Sequence, residues 1–186
     1  MARCLACFKK TGAMVFIGHL DLLKVLQRAV ARANLPVAFS QGFNPHQEMS
    51  FALPLPLGME GLGELVEIEF AQPLETDLVV SSLNKSLPSG LSFTDCRFMA
   101  DGEKHSASLV AAAEYELEAN SQAEEKLAEL MSKPEILVMK RTKKGTSEVD
   151  IKPDIFSAMV SDGTLKMTLA AGGARNLKAE VVAKEL

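Results

Sequence analysis

The sequence predicts an α+β protein built as two halves, each with an antiparallel sheet. Three observations carry that expectation. Stretches of two-residue alternation interleave with stretches where apolar residues recur every three or four positions, so strands and helices alternate along the chain. A polar run at residues 100–106, Ala-Asp-Gly-Glu-Lys-His-Ser, divides the chain, and the same alternation begins again after it. The 186 residues are 47% hydrophobic and 24% charged, which is too apolar for disorder. A chain of this length buries about 70% of its unfolded surface, enough for one large domain or two small ones.

The first half, residues 1–100, opens with a strand at 3–10. A helix follows from His19, with Leu22, Leu26, Ala29, Val30 and Ala33 on one face. Gly18 breaks the approach, Asp21 favours the positive helix start, and Asn34-Leu35-Pro36 ends it because proline disfavours a helical residue before it. Short strands are expected at 37–40 and 49–53. A stronger one spans 64–70, where residues 65–70 alternate Glu67 and Glu69 on one face with Val66, Ile68 and Phe70 on the other. A helix at 75–87 and a strand at 91–99 complete the half. Its order is β-α-β-β-α-β with one extra short strand, the order of a ferredoxin-like unit.

The second half, residues 107–186, starts with a strand at 112–118 and a helix at 121–131, with Ser121 as cap and Glu124 and Glu125 in its first turn. Strands are expected at 136–141, 148–151, 155–161 and 164–169, then a terminal helix near 177–186. Glycines mark hairpin turns at Lys143-Lys144-Gly145-Thr146 and Ser161-Asp162-Gly163-Thr164. This half therefore reads as a second ferredoxin-like unit with extra β-hairpin strands. The two halves share a pattern and no sequence repeat.

Several functional classes are excluded or demoted. No apolar run approaches the roughly 18–20 residues of a membrane span, and the first ten residues lack a signal-peptide pattern. Three cysteines, an odd number, fit a reducing cytoplasm better than a disulfide framework. Cys4 and Cys7 form a Cys-x-x-Cys, yet on an alternating strand they fall on opposite faces, which is awkward for one metal; no metal site is expected. The net charge of −4 argues against wholesale nucleic-acid coating. That total hides a segregation. Residues 1–47 hold six Lys and Arg against one acid, a net of +5, whereas residues 48–99 hold two against eight, a net of −6.

Candidate chemistry gathers in four places. Lys24, Arg28 and Arg32 recur every four residues and form one cationic stripe on the first helix. Lys140, Arg141, Lys143 and Lys144 make a second basic cluster on the expected hairpin. Such stripes are often only the solvated side of an amphipathic helix, but two clusters in an acidic chain make phosphate binding a serious rival. The stretch Phe39-Ser-Gln-Gly-Phe-Asn-Pro-His46 presents Gln41, Asn44 and His46 on tight turns, as either a binding loop or a rigid connector. Arg175 and Asn176, after Gly172-Gly173, sit where a glycine-rich segment approaches the last helix and could meet an anion; a plain turn is the alternative. His19, Asp21 and His46 are candidate catalytic residues, although His19 and Asp21 stand two apart on a helix and no motif fixes their geometry.

Three stretches resemble a known family, the radical-SAM-associated domain of unknown function 2344: Phe16-Ile-Gly-His-Leu-Asp-Leu22, Leu35-Pro-Val-Ala-Phe-Ser-Gln-Gly-Phe-Asn-Pro-His46, and Ser50-Phe-Ala-Leu-Pro-Leu-Pro-Leu-Gly58. Glu148-Val-Asp-Ile-Lys-Pro153 and Gly172-Gly-Ala-Arg-Asn-Leu-Lys-Ala-Glu180 are similar to its second-half motifs. Departures occur at Gln47-Glu48, where the family usually has Pro-Lys, and at Lys178-Ala179, where Arg-Pro is common. The resemblance implies a radical-SAM partner that carries the iron–sulfur cluster and S-adenosylmethionine, since this chain has no Cys-x-x-x-Cys-x-x-Cys. It supplies no reaction. The leading expectation is thus a non-catalytic accessory domain that presents a substrate, RNA above all, to that partner. The rivals are an enzyme using His19, Asp21 and His46, and a protein-interaction module with an apolar patch at residues 52–57.

Overall fold

The computed structural model describes residues 1–142, 145–173 and 175–186, with residues 141 and 142 described through their backbone alone. The chain is a mixed α+β structure with antiparallel sheets, and it divides into two compact units, Met1–Leu109 and Val110–Leu186. Among the described residues, no helix is long and apolar enough to cross a membrane.

The first unit runs β1 (Ala2–Lys10), a 3-10 turn (Gly12–Phe16), α1 (His19–Arg32), β2 (Met49–Phe51), β3 (Gly61–Phe70), α2 (Thr76–Ser86), β4 (Leu91–Phe98) and α3 (Ser106–Leu109). Its sheet has the order β2-β3-β1-β4, every pair antiparallel. Alternation along β1 sends Cys4, Ala6, Phe8 and Lys10 to one buried face. Against that face pack Leu22, Leu26 and Val30 of α1 with Val79 and Leu83 of α2, together with Val66, Ile68, Phe70 and Phe93. Phe8 anchors the cluster through tilted contacts with Phe51 and Phe93, each at 5.9 Å between ring centres.

Helix α1 ends as the sequence predicts, and the reason is visible. Asn34 takes a left-handed φ of 52°, which asparagine tolerates better than most residues. The amides of Asn34 and Leu35 then turn back to the carbonyls of Ala31 and Val30, which closes the last turn. Helix α2 is tied to β4 by Asn84, whose side chain donates to the Phe93 carbonyl at 2.9 Å and accepts from the Phe93 amide at 2.7 Å.

Two expectations for this unit are corrected. Residues 37–40 form no strand; Val37 and Phe39 make single bridges, to Phe70 and Gln47. A 3-10 turn at Gly12–Phe16 lies where no element is expected, held because the Lys10 ammonium donates to the carbonyls of Val15 and Ile17. The polar run at 100–106 is a loop up to Ser106, where α3 begins, and it is pinned in place. Arg97 grips Glu103 with both nitrogens, at 3.0 and 2.5 Å, and Arg3 donates to the Glu103 carbonyl.

The second unit runs β5 (Ala112–Glu118), α4 (Ala123–Ser132), β6 (Leu137–Thr142), β7 (Gly145–Asp150), a 3-10 turn (Lys152–Asp154), β8 (Ile155–Ser161), β9 (Thr164–Ala170) and α5 (Ala179–Ala183). Strands β5, β9 and β8 pair in that order, while β6 and β7 form a separate two-stranded hairpin. Its core joins Leu127 and Leu130 of α4 to Leu165, Met167 and Leu169 of β9 and Val182 of α5. The turn between β8 and β9 places Asp162 and Gly163 at φ values of 51° and 72°, the two-residue geometry that matches strand twist. Ser121 is not the cap of α4: Asn120 accepts from the Gln122 amide at 2.9 Å and shapes the approach instead. The terminal helix is shorter than expected, because the chain stays irregular from Leu177 to Lys178 before α5.

Candidate functional site

Cations and their partners decide where an anion can be held. Three of the described cations on the first unit are already paired with carboxylates. Arg97 pairs with Glu103, Arg3 lies 3.5 Å from Glu67, and Lys24 lies 3.6 Å from Asp21. The Lys24 pairing follows from the three-residue spacing to Asp21 on one helical face. Lys24 is therefore the weakest member of its stripe as a phosphate ligand.

Arg28 and Arg32 differ. Together with Lys85 they line a groove of about 440 Å³ between α1 and the end of α2, floored by Val25, Leu87 and Pro88. None of its lining residues is acidic, and among the described residues none of the three cations has a carboxylate partner. Arg32 donates through Nη2 to the Ser86 carbonyl at 2.5 Å, so one donor caps α2 while the rest of its guanidinium stays exposed. Lys85 escapes sequence reading because it comes from a helix more than 50 residues from Arg32, as the Arg32–Ser86 separation of 54 positions shows. Only the packing of α1 on α2 brings the three together.

The second feature is the segment at residues 40–46. The Phe39–Gln47 bridge closes it, and the Ser40 amide donates to the His46 carbonyl at 2.8 Å. The Ser40 hydroxyl accepts from the His46 amide at 3.1 Å and lies 2.8 Å from Nδ1 of its ring. Gly42, at φ 133°, makes the turn that a side chain would strain. Gln41, Phe43 and Asn44 are thereby carried exposed at the tip, and Phe43 is the most exposed large apolar residue of the chain. Sequence reading passes over Phe43, because phenylalanine ordinarily signals core.

The candidate catalytic residues find separate partners. His19 packs its ring on Phe51 at 4.9 Å, Asp21 meets Lys24, and His46 meets Ser40. Among the described residues, the three share no hydrogen bond or ion pair, and no group of three His, Cys, Asp or Glu could hold a metal ion.

Two buried ionisable residues were not singled out by the sequence. Glu67 accepts from the Ser106 amide at 3.0 Å and lies 2.8 Å from His105 Nδ1. Burial alone would raise its carboxyl, but the Ser106 amide, His105 and Arg3 outweigh that and hold it below the usual range. Lys10 is pulled below its ordinary value by burial, with nearby Glu64 opposing. Burial pushes Glu64 up, and Lys10 restrains it. The alternation of β1 assigns Lys10 to the buried face, so a period-two count finds it. Glu67 is hidden from any such count, since residues 103–109 cover it from far along the chain.

In the second unit, Lys140 is exposed on β6, Arg141 is described by its backbone alone, and Lys143 and Lys144 lie outside the described residues. Arg175 is engaged by Asp154 at 2.5 Å, and Asn176 is exposed. The glycines before them directly follow β9 rather than entering α5, and α5 spans only five residues.

The family model described as "Uncharacterized protein conserved in bacteria (DUF2344)" matches residues 3–179. The chain belongs to this family. A comparison with curated proteins found no match. The three cysteines of the chain are free. Cys4 and Cys96 are buried in the core, where their hydrogen bond pushes the Cys4 thiol up and draws the Cys96 thiol down. Cys7 points to the other face of β1. The three do not fit a cluster site.

Proposed function

We propose that this DUF2344 chain is a non-catalytic accessory protein of the cytoplasm that holds RNA by its phosphates and presents it to a radical-SAM partner carrying the iron–sulfur cluster and S-adenosylmethionine. The observation that carries the reading is the groove of Arg28, Arg32 and Lys85, a cluster of cations without acidic partners in a chain of net charge −4. Elsewhere in the first unit Arg3 and Arg97 are paired with carboxylates, whereas the groove gathers three cations that have no carboxylate partner among the described residues, the arrangement from which a polyanion gains by releasing counterions.

The same reading takes the first unit as ferredoxin-like. Its strand order β2-β3-β1-β4, with one helix after β1 and one after β3, supports this, and β5-β9-β8 supplies three strands in the corresponding order. Docking to the partner is favoured by a separate surface. The Gly58 amide donates to the Val15 carbonyl at 2.9 Å, which sets Phe16 and Leu57 on either side of that bond, both largely exposed. Of the expected patch at residues 52–57, Ala52 is buried and Leu57 exposed.

The test is a salt titration of purified chain with total cellular RNA. Binding at low salt that falls linearly on a logarithmic salt axis supports phosphate contact. Absent binding at low salt, or affinity indifferent to salt, overturns it.

A further inference from the structure

We propose that the tip of the segment at residues 40–46 is a seat for one unpaired nucleobase, stacked on the Phe43 ring, with the Gln41 and Asn44 amides as donors and acceptors for its edge. This rests on the RNA reading above and names the part of the RNA that is read.

The argument begins with cost. A phenyl ring left wholly in water forgoes the burial that makes aromatic residues valuable in cores, and here it stands at the tip of a loop. The loop is closed in advance. Ser40 makes hydrogen bonds with His46 through its backbone and its hydroxyl, the Phe39–Gln47 bridge shuts the base, and Gly42 supplies a φ of 133°. A ring on a closed loop binds a ligand with little further ordering.

The chemistry at the tip selects the ligand. Residues 39–45 read Phe-Ser-Gln-Gly-Phe-Asn-Pro, with no Lys, Arg, Asp or Glu among them. Such a tip has no charge to offer a phosphate or a cation. It offers a neutral aromatic face beside two primary amides, each carrying a donor and an acceptor. A nucleobase matches both, with a π-face for stacking and an edge of donors and acceptors. Single-stranded RNA is commonly read in this way. Phosphate contact and base contact thus fall to different residues, the cations of the groove and the neutral tip.

The experiment compares wild type, Phe43→Ala and Phe43→Tyr on two probes, a short oligoadenylate and an abasic ribose-phosphate oligomer of equal length, across a salt series. Stacking on an aromatic residue is worth about 5- to 150-fold in affinity. Phe43→Ala is expected to weaken oligoadenylate binding about tenfold within that range, with an unchanged salt slope, and to leave the abasic probe unaffected. Phe43→Tyr, which keeps an aromatic face, is expected to retain wild-type affinity. Equal affinity of Phe43→Ala and wild type for oligoadenylate overturns the base seat while leaving the RNA reading intact. An equal loss on both probes also overturns it, because the ring then acts on the backbone or the fold. If wild type binds neither probe, the RNA reading falls and the seat falls with it.

Discussion

Removing the Glu67 carboxylate should release the segment that follows β4 and cost the first unit much of its stability. Glu67 is 6% exposed and holds two bonds from that segment, the Ser106 amide at 3.0 Å and His105 at 2.8 Å. Ser106 is itself buried, so its amide has no solvent to turn to when its acceptor is lost. A hydrogen bond to a charged group contributes about 1.5–3 kcal/mol. His105 is largely exposed and its bond counts for less, so Glu67→Ala is expected to cost about 2–3 kcal/mol. For a unit of this size that corresponds to a fall of roughly 8–20 °C in Tm. Hydrogen exchange should localise the change, with amides of residues 100–109 losing protection before those of β1 and β3.

The pH dependence gives an independent check with a definite sign. The Glu67 carboxyl is held below its unfolded value, so the stability it contributes is present above about pH 4.3 and is lost as pH falls through the folded value. Glu67→Gln has nothing to protonate and should show a shallower acid loss over that window. A Glu67→Ala cost under about 0.5 kcal/mol, or acid slopes equal in wild type and Glu67→Gln, would refute the latch.

Four further outcomes are expected. Burial holds Lys10 below its ordinary value, so wild type should gain stability as pH rises from that lowered value toward about 10.4, and Lys10→Met should lack this gain in denaturant titrations; parallel curves contradict it. At Gly172 a Cβ would lie 2.3 Å from the Val110 carbonyl oxygen at a φ of 138°, so Gly172→Ala should destabilise the second unit by more than about 1 kcal/mol. Gly63→Ala, which meets nothing in β3, should be neutral or slightly stabilising by the same thermal assay. Phe16→Ser with Leu57→Ser should abolish co-purification with a co-expressed radical-SAM partner while moving stability by no more than about 0.5 kcal/mol, since both side chains are mostly exposed.

What could be read in advance was local, and what could not was set by distant contacts. The face of α1 follows from Leu22, Leu26, Ala29 and Val30, and its end from Asn34 and Pro36, because helix period and backbone preference act within a few residues. The buried face of β1 follows from alternation, including Lys10. Strand pairing at residues 37–40 failed because Val37 and Phe39 lean on different neighbours, Phe70 and Gln47, rather than on one continuous strand. The stripe of Lys24, Arg28 and Arg32 was visible, yet Asp21 claims Lys24, and the third cation of the groove comes from α2. Glu67 shares its face of β3 with Glu69 in the sequence pattern, and the returning segment with His105 and Ser106 lies against it. Phe43 carries no local signal of exposure, and the loop closed by Ser40 and His46 carries its ring outside.

The claim at the centre is that groove cations hold RNA phosphates. It is tested most directly by the salt slope of RNA affinity in wild type and in the double variant Arg28→Ala, Lys85→Ala, which spares Arg32 and its cap on α2. For single strands each phosphate contact contributes about 0.7 to the slope of log affinity against log salt. Three contacts predict a slope near −2.1 and a loss of about 20-fold between 50 and 200 mM salt, falling to about 3-fold in the double variant. Equal slopes in the two proteins would contradict the account, whatever their absolute affinities.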